Sequence, residues 1–374
     1  VELKIGSYPL DPPVVLAPMA GVTNAAFRRL CREYGGALYV SEMVTARALV
    51  EGNRKTERMV ARADGEPIHS VQLYGVDPVV MTAAVRRLVD DVGVDHVDLN
   101  FGCPVPKVTK LGGGAALPVH HNLFEAIVRG AVHAAGTVPV TVKMRVGVSP
   151  QHVTFLRAAR AAADAGVAAV ALHARTAEQL YSGEADWTRI AALVEALDGT
   201  GVPVLGNGDI WEGGDGPRMV AATGCAGVVV GRGCLGRPWL FRDLDRAFRG
   251  EPVDDPPHFG AVADVMRRHV RLLVDDFGDE ASAVRDFRKH VGWYLTGYPV
   301  GGEARRLMAL ASSLDELDVM LSGIDRSLAL PDAARRAKRG HTNGPRPVAL
   351  PHRWIETADD LDVPEGAELL VSGG

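Results

Sequence analysis

Through about the first 240 residues, short β-branched and apolar runs alternate with longer stretches whose apolar positions recur at helical spacing. Eight runs read as strands, over residues 14–17, 37–40, 68–73, 96–99, 140–144, 169–173, 202–205 and 227–230. Helical periodicity marks 25–33, 79–90, 120–135, 153–165, 187–197, 216–223 and 238–248. Strand and helix in strict turn predict a parallel sheet with crossover helices. Eight strands on that rhythm suit a closed (β/α)8 TIM barrel better than an open sheet, which needs protected edges.

The rhythm stops near residue 250. The segment 251–257 is rich in proline and acid and reads as a linker. Helical spacing then returns over 259–275, 281–295, 302–311 and 314–321 with no strand-like alternation. The expected organisation is an α/β barrel over 1–250, a small all-helical domain over 258–330, and a tail over 331–374. The tail starts with the basic cluster Arg335, Arg336, Lys338 and Arg339, and acids dominate between Glu356 and Glu368. Such composition predicts partial disorder, with the basic cluster either touching RNA or simply solvated.

Composition narrows the functional classes. A hydrophobic share of 47% fills a full core, and a net charge of −5 argues against a uniformly basic nucleic-acid binder. A local basic face remains compatible with an RNA substrate. The four cysteines, Cys31, Cys103, Cys225 and Cys234, show neither a disulfide framework nor metal-ligand spacing, so no metal is expected. No leader-like segment and no apolar run of roughly 20 residues is visible, which predicts a soluble, cytoplasmic protein. No obligate protein partner is expected.

Unusual residues, many of them polar, gather where the predicted strands end, which is where such barrels carry their chemistry. In strand order these are Ala17, Pro18 and Met19; Glu42; Gln72; Asn100 and Cys103; Lys143 and Arg145; His173 and Arg175; Asn207, Gly208 and Asp209; Gly231 and Arg232. Any one of them suits ordinary turn chemistry, but together they describe a lined pocket at one face. The glycine-rich ends of strands 7 and 8 suit a phosphate group, since glycine lets main-chain N–H groups approach an anion. Lys143, inside a β-rich run, needs an anionic partner, either a cofactor or Glu42. Cys103 reads as a general acid, a nucleophile or a small buried side chain.

The run Asp98-Leu-Asn-Phe-Gly-Cys-Pro104 resembles the tRNA-dihydrouridine synthase family, especially its bacterial B-type branch. Further matches are Ala17-Pro-Met-Ala-Gly21, Gln72-Leu-Tyr-Gly75, Lys143-Met-Arg145, His173-Ala-Arg-Thr176, Gln179-Leu-Tyr-Ser-Gly183, Gly206-Asn-Gly-Asp-Ile210 and Gly231-Arg-Gly233, in family order. The resemblance implies an FMN-binding barrel that reduces the C5–C6 double bond of selected tRNA uridines, with NADPH as reductant. It implies hydride transfer from flavin N5 to C6 and protonation of C5 by Cys103. It places Ala17, Pro18, Met19, Gln72, Lys143, His173, Asn207, Gly208, Asp209, Gly231 and Arg232 around FMN. Asn100 and Arg175 would stand near the substrate base. Arg285, Arg288 and Lys289, with His290, Trp293 and Tyr294, match the family's helical tRNA-binding domain. Arg285, Lys289 and Trp293 are spaced by four and share a helix face. Ala174 stands where the family usually has glycine. Competing readings are an FMN reductase acting on a free pyrimidine and a tRNA-binding protein without reductase activity.

Overall fold

The computed structural model describes residues 3–340 and 344–367. Eight parallel strands close into a barrel: β1 (Val14–Leu16), β2 (Leu38–Thr45), β3 (Ser70–Tyr74), β4 (His96–Phe101), β5 (Val140–Arg145), β6 (Ala169–His173), β7 (Val204–Asn207) and β8 (Gly227–Val230). Each pairs with its sequence neighbours, and β8 returns to β1 through Val228–Val14 and Val230–Leu16. The strands are buried on both faces, so they read as continuous Val/Leu/Ala runs rather than as alternation.

The crossover helices are α1 (Ala25–Arg32), α2 (Pro78–Arg87), α3 (His121–Ala135), α4 (Phe155–Asp164), α5 (Thr188–Ala196), α6 (Asp215–Thr223) and α7 (Leu240–Phe248). After β2 two short helices, Ala46–Val50 and Arg54–Met59, replace a single long one. Starts are chemically marked. The Asn24 side chain accepts the Phe27 N–H, and Asp77, followed by Pro78 in the first turn, accepts those of Val79 and Val80.

Strand β2 runs past the expected 37–40. Ser41 and Glu42 break its apolar pattern because the register slips between Val40 and Met43, a bulge that absorbs them. A two-stranded ribbon, Leu3–Ile5 with Tyr8–Leu10, covers the N-terminal end of the barrel. Its Leu3, Ile5 and Leu10 pack with Val15, Leu38, Ala171, Leu205 and Val229 from the barrel interior. Three-residue strands are too short to show periodicity, which hides this ribbon in the sequence.

Four helices follow the linker: α8 (Phe259–Phe277), α9 (Glu280–Tyr294), α10 (Gly302–Met308) and α11 (Leu314–Ser322). Their core joins Phe259, Met266, Leu273, Val284, Phe287, Val291 and Leu317 to Ala26 and Leu30 of α1 and to Trp239. The helical unit is thus fused to one wall of the barrel. His269 and His290 lie buried there, with ring centroids 4.5 Å apart and Phe27 and Phe287 around them.

Within the tail's basic cluster, Arg336 and Lys338 are exposed, Arg335 is half-exposed, and only Arg339 is buried. Arg336 bridges to Glu212 and Asp215, and Arg335 to Asp255 and Asp332. Arg339 is buried and donates to the carbonyls of Trp293, Thr296 and Ala337. Residues 344–367, expected in a loosely ordered segment, lie along the barrel, with Trp354 and Ala367 buried in its main core. Apolar residues spaced among the acids, including Val348, Leu350 and Val363, hold them there. The expectation for 341–343 and 368–374 lies outside the described residues. No helix among the described residues is long and apolar enough to cross a membrane.

Candidate active site

One cavity opens at the C-terminal ends of β5 to β8 and β1. Its space, counted to the open mouth, is ≈ 520 Å³. Ala17, Pro18, Met19, Lys143, His173, Asn207, Gly208, Asp209, Gly231 and Arg232 all line it. These are ten of the eleven residues expected around a cofactor, the exception being Gln72. The lining also includes Tyr181 and Trp211, which the sequence reading did not assign. Tyr181 stands in the Gln179–Gly183 match, yet its place in the lining emerges only in space. The Arg232 guanidinium lies 4.2 Å from the Tyr181 ring centroid and 5.2 Å from that of Trp211.

The cavity is built to receive negative charge. Lys143 is half-buried and has no hydrogen-bond or ion-pair partner among the described residues. Glu42, the alternative partner, turns to the lip, where it accepts the Gly21 N–H at 2.6 Å. Burial, aided by Arg145, pushes the Lys143 ammonium down to about 8, against the pull of Asp98. His173 is held well below its ordinary value, by burial first and then by the surrounding Arg145, Lys143, Arg175 and Arg232. It is a neutral imidazole among cations. Gly231 leaves a notch in the wall: a Cβ there would project toward Ala17 and Met19, 3.7 and 4.0 Å away.

Asp209 and Arg175 organise this wall. Asp209 occupies the left-handed region at φ 58°, which aspartate tolerates better than most side chains. Its two carboxylate oxygens accept from Arg175 Nη2 at 2.8 and 3.0 Å, and one of them also accepts the Ala185 N–H at 2.7 Å. Arg175 also donates to the Ser182 and Gly183 carbonyls. The Arg175 side chain, expected near the substrate base, is fully buried and does not line the cavity. It pins the 180s loop against the end of β7. Ala174, in the place of a glycine, is buried in the main core without a positive φ, so its methyl group is accommodated.

Beside this cavity, a directed chain of hydrogen bonds runs up to Cys103. The Asp98 carboxylate accepts Thr141 Oγ1–H at 2.5 Å and Gln72 Nε2–H at 2.6 Å. Gln72 Oε1 then accepts Asn100 Nδ2–H at 2.9 Å. Asn100 Oδ1 accepts the N–H groups of Gly102 and Cys103 at 3.0 and 2.9 Å. A carboxylate at the base fixes the orientation of both amides above it. Gln72 and Asn100 are therefore spent on holding the Cys103 loop. Asp98, not expected at the site, and Arg145, expected among the strand-end residues, support the same loop. Burial pushes Asp98 up to about 6, and Arg145 donates to the Gly102 carbonyl at 3.0 Å.

Cys103 is half-buried beside Met43, Tyr74, Val108 and Leu111, adjoining the cavity but not lining it. Burial raises its thiol above the ordinary value, only partly offset by the Val105 backbone, Arg145 and Lys143. The other cysteines are buried. Gly114 presses on this loop so closely that a Cβ would lie 2.5 Å from the Cys103 carbonyl oxygen.

The residues expected to meet tRNA divide. Lys289 lines a cleft of ≈ 1190 Å³, counted to open solvent, between the barrel lip and the helical unit. Lys55, Arg58, Glu42, Asp276 and Asp286 share that cleft, so its charge is mixed. Arg285 is exposed on α9, whereas Arg288 donates to the Ala311 carbonyl at 2.8 Å and ties α9 to the turn before α11.

Comparison with known proteins follows the same lines. The family model for dihydrouridine synthase matches residues 15–328. A probable tRNA-dihydrouridine synthase of Mycobacterium tuberculosis (strain CDC 1551 / Oshkosh) is 52% identical over 381 residues, covering 100% of this chain and 97% of that protein. One from Treponema pallidum (strain Nichols) is 40% identical over 79% of this chain and 88% of its own length. The tRNA-dihydrouridine synthase B of Xanthomonas axonopodis pv. citri (strain 306) is 37% identical over 89% of this chain and 100% of its own. Among solved structures, 2-naphthoyl-CoA reductase in complex with 2-naphthoyl-CoA superposes with a TM-score of 0.51 at 11% identity, over 67% of this chain and 52% of that one. That likeness speaks for the barrel alone. From its motifs, its matched length and its relatives, the chain belongs to the dihydrouridine synthase family.

Proposed function

We propose that this protein reduces the C5–C6 double bond of uridines in tRNA to dihydrouridine, holding FMN in the cavity at the barrel mouth and using NADPH as reductant. The observation that carries the reading is the unpaired Lys143 ammonium, inside a cavity with a glycine notch, next to a loop that presents a protonated thiol. The residues present fit an anionic, planar cofactor. Lys143 and Arg232 supply positive charge, and neutral His173 supplies a hydrogen-bonding ring without adding to it. The glycines of the β7 and β8 loops leave main-chain N–H groups open to a phosphate. Asp209 contributes by fixing the wall, because its carboxylate is already committed to Arg175.

When bound and reduced, FMN supplies a hydride to uracil C6. The chain's own part is to complete the addition. Cys103 donates the proton to C5, and the raised thiol keeps that proton available at neutral pH. Asn100, held by Gln72, fixes the backbone from which the thiol projects. The cation-rich cavity wall favours the negative charge that develops on the pyrimidine carbonyls. Lys289, Lys55 and Arg58 at the cleft offer contacts for the RNA backbone, which makes affinity fall with salt.

Incubation with NADPH and unmodified tRNA, followed by nucleoside mass spectrometry with positional mapping, tests this reading. Dihydrouridine at defined positions is the expected result. Reduction of free uracil or orotate with none on tRNA would replace it by a free-pyrimidine reductase. Binding of tRNA with no reduction of either would leave only an RNA-binding role.

A further inference from the structure

The tail beyond residue 328 lies outside the matched family model, and the Treponema relative leaves about a fifth of the chain unmatched. Yet this segment is seated on the barrel directly behind the Cys103 loop. Trp354 is buried, and its indole N–H donates to the Ala116 carbonyl at 2.9 Å. Its ring stacks on His120 with centroids 3.5 Å apart. His120 Nε2 in turn donates to the Trp354 carbonyl at 2.8 Å, an assignment that follows because a carbonyl only accepts. Asn122 and the His121 N–H reach the carbonyls of Asp359 and Ala358.

These contacts fall on the middle and the C-terminal end of the short 3-10 turn Gly114–Val119. The opposite side of that turn holds Cys103: the Ala115 N–H donates to the Cys103 carbonyl at 3.0 Å, and Gly114 lies against the same atom. Trp354 also covers Gly112, where a Cβ would come within 2.7 Å of the indole ring. The turn is held between the Cys103 backbone and the strap, so a shift of the strap is passed to the backbone that carries the thiol.

We propose that the C-terminal strap, through Trp354, is a positioning element for the Cys103 loop. It holds the thiol closed and aligned without touching substrate or cofactor itself. The assignment of a role in turnover rests on the reductase reading above, whereas the mechanical coupling does not.

The test is the rate at which iodoacetamide alkylates each cysteine of the full-length holoprotein, read by peptide mass spectrometry. Cys31, Cys225 and Cys234 are buried and serve as internal controls. Trp354→Ala is expected to speed alkylation of Cys103 about tenfold, as local opening of one loop would, with the controls still protected. Trp354→Phe keeps a stacking ring but loses the N–H to Ala116, and should speed it about threefold with unchanged thermal unfolding. If all four cysteines react together in the alanine variant, the phenylalanine variant decides. Wild-type Cys103 reactivity in the phenylalanine variant, or in a folded alanine variant, overturns the proposal. In turnover, the phenylalanine variant should lower kcat for tRNA while KM for tRNA and reduction of the flavin by NADPH stay the same; a rise in KM alone would also overturn it. Faster alkylation in a protein that makes no dihydrouridine would refute the reductase reading and leave the clamp standing.

Discussion

Under the proposed function, saturating the uracil double bond takes one hydride and one proton, and Cys103→Ala removes only the proposed source of the proton. That variant should retain FMN and accept electrons from NADPH at the normal rate. Its single-turnover reduction of tRNA should fall by about 10²–10⁴-fold, the usual contribution of a positioned general acid. Wild-type single-turnover rates would show that another group delivers the proton. Lys143 makes a different kind of demand. Its ammonium is pushed down to about 8, so the cavity carries this charge at neutral pH and loses it as pH rises through that value. FMN retention on gel filtration should therefore weaken above pH 8. Lys143→Gln should release FMN more readily at pH 7 and flatten that pH dependence. Equal occupancy in the two proteins across pH 6–9 would remove Lys143 from the cofactor's partners.

Loops, not strands, decide how the site is held. Arg175 and Asp209 join the loop after β6 to the end of β7 through an ion pair whose guanidinium is fully buried. Breaking such a pair from one side strands a charge, so Arg175→Met should cost about 3–5 kcal/mol in thermal or urea unfolding. Adding Asp209→Asn to that variant should cost clearly less than the sum of the two single changes. Additive losses would mean that the pair is not coupled. The same elements mark where sequence could and could not be read. All eight barrel strands were legible because each is a short apolar run followed by a helix. The cavity lining was legible because those runs end in polar or glycine-rich residues. The use of Arg175, Gln72 and Asn100 was not, because a polar side chain at a strand end looks the same whether it faces a ligand or a neighbouring loop. The Asn100 carbonyl takes two backbone N–H groups, and nothing in the spacing of the motif announces that. The strap escaped for a related reason: acids dominate its composition, while a few spaced apolar residues, Trp354 foremost, decide its fate.

For the molecule as a whole, the joint between barrel and helical unit is sensitive to acid. Burial holds His269 down to about 3 and His290 well below its ordinary value, with Lys289 adding to both. Both ring nitrogens of His290 lack partners among the described residues. In the unfolded chain each imidazole takes up a proton below about pH 6.5 while the folded one does not, so stability is lost as pH falls from 6.5 toward 3. Between pH 7 and pH 5 His269 alone should cost about 2 kcal/mol, and His290 acts in the same direction. His290→Phe should reduce the slope of the unfolding midpoint against pH over that range, and an unchanged slope would exonerate the residue. At the other end of the barrel, the ribbon of Leu3, Ile5 and Leu10 has a kinetic consequence. It packs into the floor of the barrel, and the proposed cofactor cavity opens at the opposite lip. Under the proposed function, a nicotinamide and a tRNA nucleotide that both reach the cofactor from this lip would use it in turn. Steady-state rates measured against one substrate at several fixed levels of the other should give parallel double-reciprocal lines, the signature of a two-stroke cycle in which the first visitor leaves before the second arrives.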